Sequence, residues 1–453
     1  MTQASPSPSQ TPEAPGELRR SLGPVGVMAQ AVGTVGLTLT AVINIPQAMR
    51  SAGRATWISY VLALAVVLLV GETLVLFRRL PGSAAGIAGY VAAGLGRRTG
   101  AAATWVLMLS YGASMLACLV FFGFYLDRLL DHLQLPAPQL AGYLLGGIAC
   151  VELARRDVKL SARTMLVTEA LSVLIVLSIT VLVIVQGWGP PDLRAIDPVG
   201  DTPSEVGSAL MLAVLSFAGF ESAASLGGEA LRPERAVPQG IRTALLVAGG
   251  LFVFWAVFLP EGLSWLPASE RLGLDPLSDL AERLGKPGAG RWIQAGALIC
   301  LFGSSLGSVN ALARASYSLA EQRVLPRLLS RVDPRHGTPS AALVTVTLPV
   351  IAAGALLLQK ELSPSAIFGL FGGFAVLGFL LIYGLVALAS LRGELPGNST
   401  RRRWLVGGSC LIAVLAIAVA YLASLAGQQN GMVLAFAALL LLGWLQVLRT
   451  VPA

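Results

Sequence analysis

The sequence predicts an all-α polytopic membrane protein with about twelve transmembrane helices. Two observations carry that reading. First, 55% of the 453 residues are hydrophobic and only 12% are charged, against roughly 25% charged in a soluble globular domain. The mean hydropathy is +0.74. So few charges do not cover a water-facing surface, and lipid is the solvent that accepts the surplus apolar area. The same numbers disfavour a soluble enzyme and exclude intrinsic disorder for the bulk of the chain. Second, the apolar residues fall in runs of the length that crosses a ~30 Å hydrocarbon core, roughly 20 residues each.

These runs lie at 25–46, 55–77, 101–127, 138–154, 163–187, 205–229, 241–262, 291–320, 339–359, 365–391, 404–425 and 430–448. The fourth is the shortest and runs into Glu152 and Arg155–Arg156. Residues 1–20, rich in Pro, Ser, Thr and Gln, read as a disordered cytoplasmic tail and not a signal peptide, because no basic segment leads into an early apolar one. The membrane domain occupies 21–449, and 450–453 form a short tail.

The net charge is +8. A nucleic-acid binder gathers its Lys and Arg on one stripe, whereas here they sit in short clusters between apolar runs. With the N-terminus inside, about 22 of the 32 Lys and Arg fall on the cytoplasmic side. Both termini are therefore expected in the cytoplasm of a cell-membrane protein, with Arg50 and Arg54 against the trend. The four cysteines, Cys118, Cys150, Cys300 and Cys410, all lie in apolar runs without metal-ligand spacing, so they read as small hydrophobes. Small residues recur four apart at Gly142/Gly146, Gly303/Gly307 and Gly369/Gly373, a spacing that lets helices approach closely in lipid.

Two runs carry signals of interruption. The first contains Gly33-Thr34-Val35-Gly36 followed by Thr38 and Thr40; the sixth contains Ser216-Phe217-Ala218-Gly219-Phe220-Glu221. The sixth run lies five places after the first, and an odd unit inverts the second copy, giving a 5+5 inverted repeat plus two C-terminal helices. The repeats are expected at about 25–190 and 203–392, with helices eleven and twelve at 403–449. An interrupted helix exposes N–H groups at the start of one half and C=O groups at the end of the other. A zwitterion needs both. The spacing places a solute carboxylate on N–H groups around Val35 and Gly36, and its ammonium on carbonyls around Phe217, Ala218 and Gly219. Gly33, Thr34 and Phe220 complete this candidate site.

Three stretches resemble one family. Ser216–Glu221 continues to Gly228-Glu229-Ala230-Leu231-Arg232-Pro233 and Pro238-Gln239-Gly240-Ile241. Asn310-Ala311-Leu312-Ala313-Arg314 leads through Leu325-Pro326 to His336-Gly337-Thr338-Pro339. Glu72 is followed by Pro81-Gly82-Ser83-Ala84-Ala85-Gly86. Together they resemble the amino acid–polyamine–organocation (APC) permeases over nearly the whole chain. The resemblance implies a leucine-transporter-type fold, discontinuous helices one and six, and secondary transport of amino acids or related amines. Val35 stands where many relatives have glycine, and Leu215 where some exchangers of cationic substrates carry a tryptophan; both favour a neutral substrate.

Ionisable groups inside a span are functional candidates. Glu221 reads as a helix cap or a proton-coupling carboxyl. Glu169 lies in the fifth run. Where some family members place a lysine that stands in for sodium, this chain has Ser172. Ser304 and Ser305, with Ser308 nearby, offer hydroxyls to a cation, so the coupling ion is H+ or Na+. Glu72 and Glu229 are expected to pair with Arg-rich loops, and Arg314 to snorkel to the interface. Tyr111, Met115 and Phe368, with Ser114 and Phe371 as further candidates, would line a side-chain pocket. No cofactor, metal or nucleic acid is implied.

Other classes are carried as alternatives. A polyamine or organic-cation transporter of the same fold would need more acids near the two interruptions. An intramembrane enzyme lacks a Ser/His pair, since His132 and His336 sit in loops on opposite sides. A channel would show charge rings or a repeated filter loop.

Overall fold

The computed structural model describes residues 20–80, 86–135, 138–156, 158–187, 203–425 and 430–452. The N-terminal tail up to residue 19, Pro81–Ala85 of the second junction motif, and the segment joining the two expected repeats lie outside the described residues. Among the described residues the chain is helical and no strand is longer than an isolated bridge.

Eleven helices are long and apolar enough to cross a membrane among the described residues. They are span 1, Pro24–Ala52; span 2, Thr56–Arg79; span 3, Arg97–Asp131; span 5, Val158–Leu182, whose helix continues to Gly187; span 6, Ala209–Leu226; span 7, Pro233–Ser264; span 8, Gly288–Glu321; span 9, Ser340–Gln359; span 10, Pro364–Arg392; span 11, Thr400–Leu425; and span 12, Asn430–Thr450. Span 4 is the 18-residue helix Gln139–Arg156, whose last turns hold Glu152, Arg155 and Arg156. A shorter apolar helix, Gly86–Leu95, precedes span 3.

Burial separates centre from rim. The most apolar part of span 1 is 89% buried, that of span 12 only 22%. Span 1 packs on spans 5, 7 and 8, and span 3 lies between spans 8 and 10. Spans 11 and 12 turn large side chains outward, Ile412, Val419 and Leu434 among them, as a lipid-facing rim requires. Span 12 is tied to span 3 by Trp105 Nε1 donating to the Leu439 carbonyl at 3.1 Å.

Small residues set the closest crossings. A Cβ on Gly123 of span 3 would meet the Gln139 carbonyl at 2.6 Å and the Tyr143 nitrogen at 2.9 Å, so spans 3 and 4 touch main chain to main chain. Of the three expected pairs, Gly142 faces Gly123 and Gly146 faces the Phe122 ring; Gly303 faces Thr168 and Gly307 faces Thr34. Gly373 meets Tyr421, whereas Gly369 has nothing within 4 Å.

Between spans 7 and 8 a short helix, Pro276–Arg283, packs Leu277, Leu280 and Ala281 inward. Asp275, just before it, is buried. Its carboxylate accepts from Gln294 Nε2 at 2.9 Å and from the Tyr125 hydroxyl at 3.5 Å. Burial pushes the Asp275 carboxyl up to about 7, against the opposing hydrogen bonds of Gln294 and Ser278.

Two predictions follow from these contacts. Gly123→Leu overpacks a main-chain contact and should cost about 1–3 kcal/mol or more. Thermal unfolding in detergent should show a clear loss of Tm for it and little change for Gly369→Leu; equal effects would contradict the packing described. An unfolded Asp titrates near ~3.9. Between about pH 4 and 7 the folded chain therefore holds a proton on Asp275 that the unfolded chain has released, and stability falls as pH rises through about 7. Asp275→Asn should flatten the fall in Tm between pH 5 and 8 relative to the parent chain.

Candidate functional site

Span 1 breaks at Gly36. The helix from Pro24 ends at Val35, and Gly36 adopts φ 68°, ψ 73°, its N–H closing a last bond to the Val32 carbonyl at 3.2 Å. No larger residue fits: φ is left-handed, and a Cβ would lie 2.2 Å from Ser304 Oγ. The helix resumes at Leu37 and runs through a wide π turn, Thr40–Asn44, to Ala52. The donors without a helical partner therefore begin at Leu37, one to two residues beyond Val35 and Gly36 where the sequence placed them, because the first half closes its bonds through Gly36. The Leu37 N–H donates to Glu169 Oε1 of span 5. Thr38 Oγ1 donates to Ser172 Oγ at 3.0 Å.

Span 6 breaks after Phe217. Gly219 has φ 112°, and a 3-10 turn, Phe220–Leu226, follows. A Cβ on Gly219 would lie 3.0 Å from both the carbonyl carbon and oxygen of Thr34. The two interruptions thus meet at Thr34 and Gly219. Span 1 runs antiparallel to span 6 there: the segment before its break packs on the 3-10 turn, and Ile45–Ala52 packs on the first half of span 6.

A buried polar hub holds the crossing. Thr34 Oγ1 donates to the Gln30 carbonyl at 2.6 Å and accepts from Ser222 Oγ at 3.0 Å and Gln30 Nε2 at 3.1 Å. Gln30 Nε2 also reaches the Gly307 carbonyl of span 8 at 2.9 Å. On the other side of the crossing, Asn44 Nδ2 donates to Ser216 Oγ at 3.0 Å, and the Tyr60 hydroxyl lies 3.0 Å from the same oxygen.

Glu221 is fully buried beside this crossing. Its carboxylate accepts from Tyr111 at 3.0 Å, Tyr383 at 2.8 Å and the Gly219 N–H at 3.0 Å. Three donors from spans 3, 6 and 10 satisfy it, as suits an anion at the start of a helical turn. A vestibule of about 300 Å³ leads to Glu221 and Tyr111 from the end of the bundle that holds Arg20, Arg314, Tyr317 and Glu321. Between the interruptions lies a separate cavity of about 30 Å³, bordered by Thr34, Val35, Leu39, Asn44, Ala218 and Phe368. That is room for about two waters, at ~10–15 Å³ of probe-occupied volume each.

Below the site, Glu229 and Arg314 form a buried bidentate pair, Nε–Oε2 2.5 Å and Nη2–Oε1 2.9 Å. Arg314 also donates to the Asn310 carbonyl at 2.9 Å. This corrects the sequence reading of both residues: Arg314 does not snorkel to an interface, because Glu229 meets it inside the bundle. Glu72 pairs with Arg242 of span 7 at 2.6 Å and with Arg402 in the first turn of span 11 at 3.6 Å, both in helices and not in a loop.

The other residues singled out in the sequence disperse. Ser172 Oγ donates to the Glu169 carbonyl at 3.0 Å, Ser305 Oγ to the Leu301 carbonyl at 2.7 Å, and Ser304 lies against Gly36. Ser304 and Ser308 hydroxyls have no protein partner. Tyr111 faces Glu221, Phe217 and Phe220 are buried, Met115 sits in the core, Ser114 joins Phe368 on the small cavity, and Phe371 lines a different, apolar groove. Gly33 packs against Met165. Gln30, Asn44 and Tyr383 were not singled out, and Ser222 only as the end of the interrupted stretch in the sixth run; the signal for Gln30 was there, an amide four residues before Thr34 in an apolar run.

Comparison with known proteins agrees with this architecture. The family model described as "Amino acid permease" matches residues 22–445. The serine/threonine exchanger SteT of Bacillus subtilis is 30% identical over 36% of this chain and 37% of its own length. An uncharacterized transporter of Mycobacterium bovis is 27% identical over 89% of this chain and 87% of its own. A vacuolar cationic amino acid transporter of Arabidopsis thaliana is 28% identical over 37% of this chain and 27% of its own. With two apolar helices interrupted where they cross, and a family match that runs from the first described turn into span 12, the chain belongs to the amino acid permease family of the APC superfamily.

Proposed function

We propose that this chain is an alternating-access secondary transporter of neutral L-amino acids in the cell membrane, with both termini cytoplasmic. A bundle drawn from the repeats at 25–190 and 203–392 rocks against a scaffold drawn from the same two repeats. The substrate sits between the interruptions of spans 1 and 6, its carboxylate on the half-helix that resumes at Leu37 and its ammonium on the carbonyls ending the first half of span 6. The observation that carries the reading is the meeting of both interruptions at Thr34 and Gly219, with a cavity beside it.

The vestibule opens at the arginine-rich end, which this reading assigns to the cytoplasm, and the cavity between the interruptions has room for about two waters. Proton coupling or exchange accompanies transport. The side-chain preference rests on the lining. Val35, Leu39, Ala117, Leu215, Ala218 and Phe368 border the cavity, and none of its described lining residues is charged. A cationic side chain would be left without a counter-ion there, which weighs against the likeness to a cationic transporter and for the likeness to a serine/threonine exchanger.

Two experiments test this. Purified protein in liposomes should take up neutral amino acids from a labelled panel under an imposed proton gradient, or exchange them, in preference to arginine, lysine and putrescine. Preference for the amines would overturn the substrate class, and no uptake of any amino acid would overturn the function. Gly219→Ala should reduce uptake by at least about tenfold while the protein still folds and inserts, since φ 112° and the Thr34 main chain at 3.0 Å leave no place for a methyl group. Unimpaired uptake would separate the crossing from the substrate site.

A further inference from the structure

We propose that Glu169 takes up the coupling proton, because its carboxyl and the substrate's carboxylate draw on the same helix start. The inference rests on the reading of the central cavity as the amino acid site and adds the group through which coupling works.

Glu169 is 1% exposed. Its Oε1 accepts from Leu37, the first residue after the break, while Val35 and Leu39 on either side border the central cavity. One positive helix end therefore serves two carboxyl groups, one from span 5 and one from the solute. Besides Leu37, its charge meets the neighbouring Thr38 N–H and a thiol. Cys300 Sγ of span 8 lies 3.7 Å from Oε1. Oε2 has no hydrogen-bond partner in the protein. From span 1 the facing groups are Leu37 and Thr38, neither titratable; span 8 brings Cys300 and Gly303, with the Cys118 thiol of span 3 beyond; span 5 itself brings Thr168 and Ser172. Among the described residues no Lys or Arg pairs with it, and no charge from spans 4 or 7 acts on it. Glu221 is the contrast: both of its oxygens are held by three donors.

The step balances without electron transfer. With the solute absent, ionised Glu169 caps Leu37. An arriving carboxylate sets a second like charge at the same helix end, and two carboxylates sharing a site favour protonation of one. A proton from water forms an O–H bond on Oε2; Oε1 keeps the Leu37 N–H as a neutral acceptor, and the site retains a single negative charge. Solute release reverses the exchange. An exit is at hand: a crevice of about 280 Å³ between the start of span 1 and Lys159, Ala162, Arg163 and Leu166 of span 5 ends one helical turn short of Glu169.

The test uses the full chain in detergent with labelled L-serine and L-leucine as probes. Binding in weakly buffered solution should take up about one proton per amino acid bound, read with a pH dye. By reciprocity, Kd should rise about tenfold per pH unit on the alkaline limb and stay unchanged when choline replaces sodium. Glu169→Gln should bind with a pH-independent Kd and take up no proton, and Glu169→Asp should restore the pH dependence. Amino acid binding by the parent chain without proton uptake, proton uptake persisting in Glu169→Gln, or binding that follows sodium at fixed pH would each overturn the inference while leaving the substrate site standing. Failure of the parent chain to bind either probe would overturn the site reading and the inference with it. If Glu169→Gln does not fold, the proton count on the parent chain decides alone.

Discussion

A main-chain N–H in hydrocarbon must find an acceptor within the protein. Everything distinctive in this bundle follows from interrupting two helices under that constraint. At each interruption the first N–H without a helical partner goes to a glutamate. Leu37 of span 1 donates to Glu169, 132 positions away on span 5; Gly219 of span 6 donates to Glu221, two positions on. The solutions look alike and differ in energetic character. Glu221 gathers two tyrosines besides, so its charge is distributed over donors from three spans. Glu169 has the adjacent Leu37 and Thr38 N–H groups and a thiol, and its Oε2 has no hydrogen-bond partner. The first is a closed structural joint and the second an open one.

Steric economy at the crossing explains the glycines. Thr34 sits at the centre, with its hydroxyl in a hydrogen-bonded hub and its main chain against Gly219. Gly307 of span 8 presses on the same residue: a Cβ there would lie 2.4 Å from Thr34 Oγ1. Gly36 leaves space for Ser304. A side chain at any of the three would push the interrupted helices apart and strand the polar groups between them, which in a low-dielectric interior costs more than the lost contact itself.

Membrane class and helix count were legible because both depend on run length and charge scarcity. The positions of the interruptions were legible too, from Gly33 and Gly36 beside β-branched residues in the first run and from Gly219 beside an acid in the sixth. Span 4 was the shortest run in the sequence, and its helix is correspondingly short and charged at one end. Pairing across the bundle was not legible. Glu229 and Arg314 lie 85 positions apart, and nothing in either neighbourhood says that they meet. Glu169 read as one acid in an apolar run; only the approach of span 5 to Leu37 gives it an object. The shift of the free donors from Val35 and Gly36 to Leu37 has a local cause, the left-handed Gly36 closing the preceding helix, and that depends on φ, which sequence does not report.

The ion pair at the vestibule wall bears on how such a bundle changes state. Glu229 joins three spans: its carboxylate holds Arg314 of span 8, and its carbonyl accepts from the Ser21 and Leu22 N–H groups at the start of span 1. Leu231 returns a bond to the Leu22 carbonyl at 2.9 Å. Parting span 8 from the end of span 6 would leave a guanidinium and a carboxylate unpaired and buried, a change that costs far more than the net strength of the pair. Under the proposed alternating access, the start of span 1 and the end of span 6 would move together, and any separation from span 8 would have to admit water to both charges at once. Such a joint, joined or hydrated, would suit a part that closes one side in the proposed alternating access.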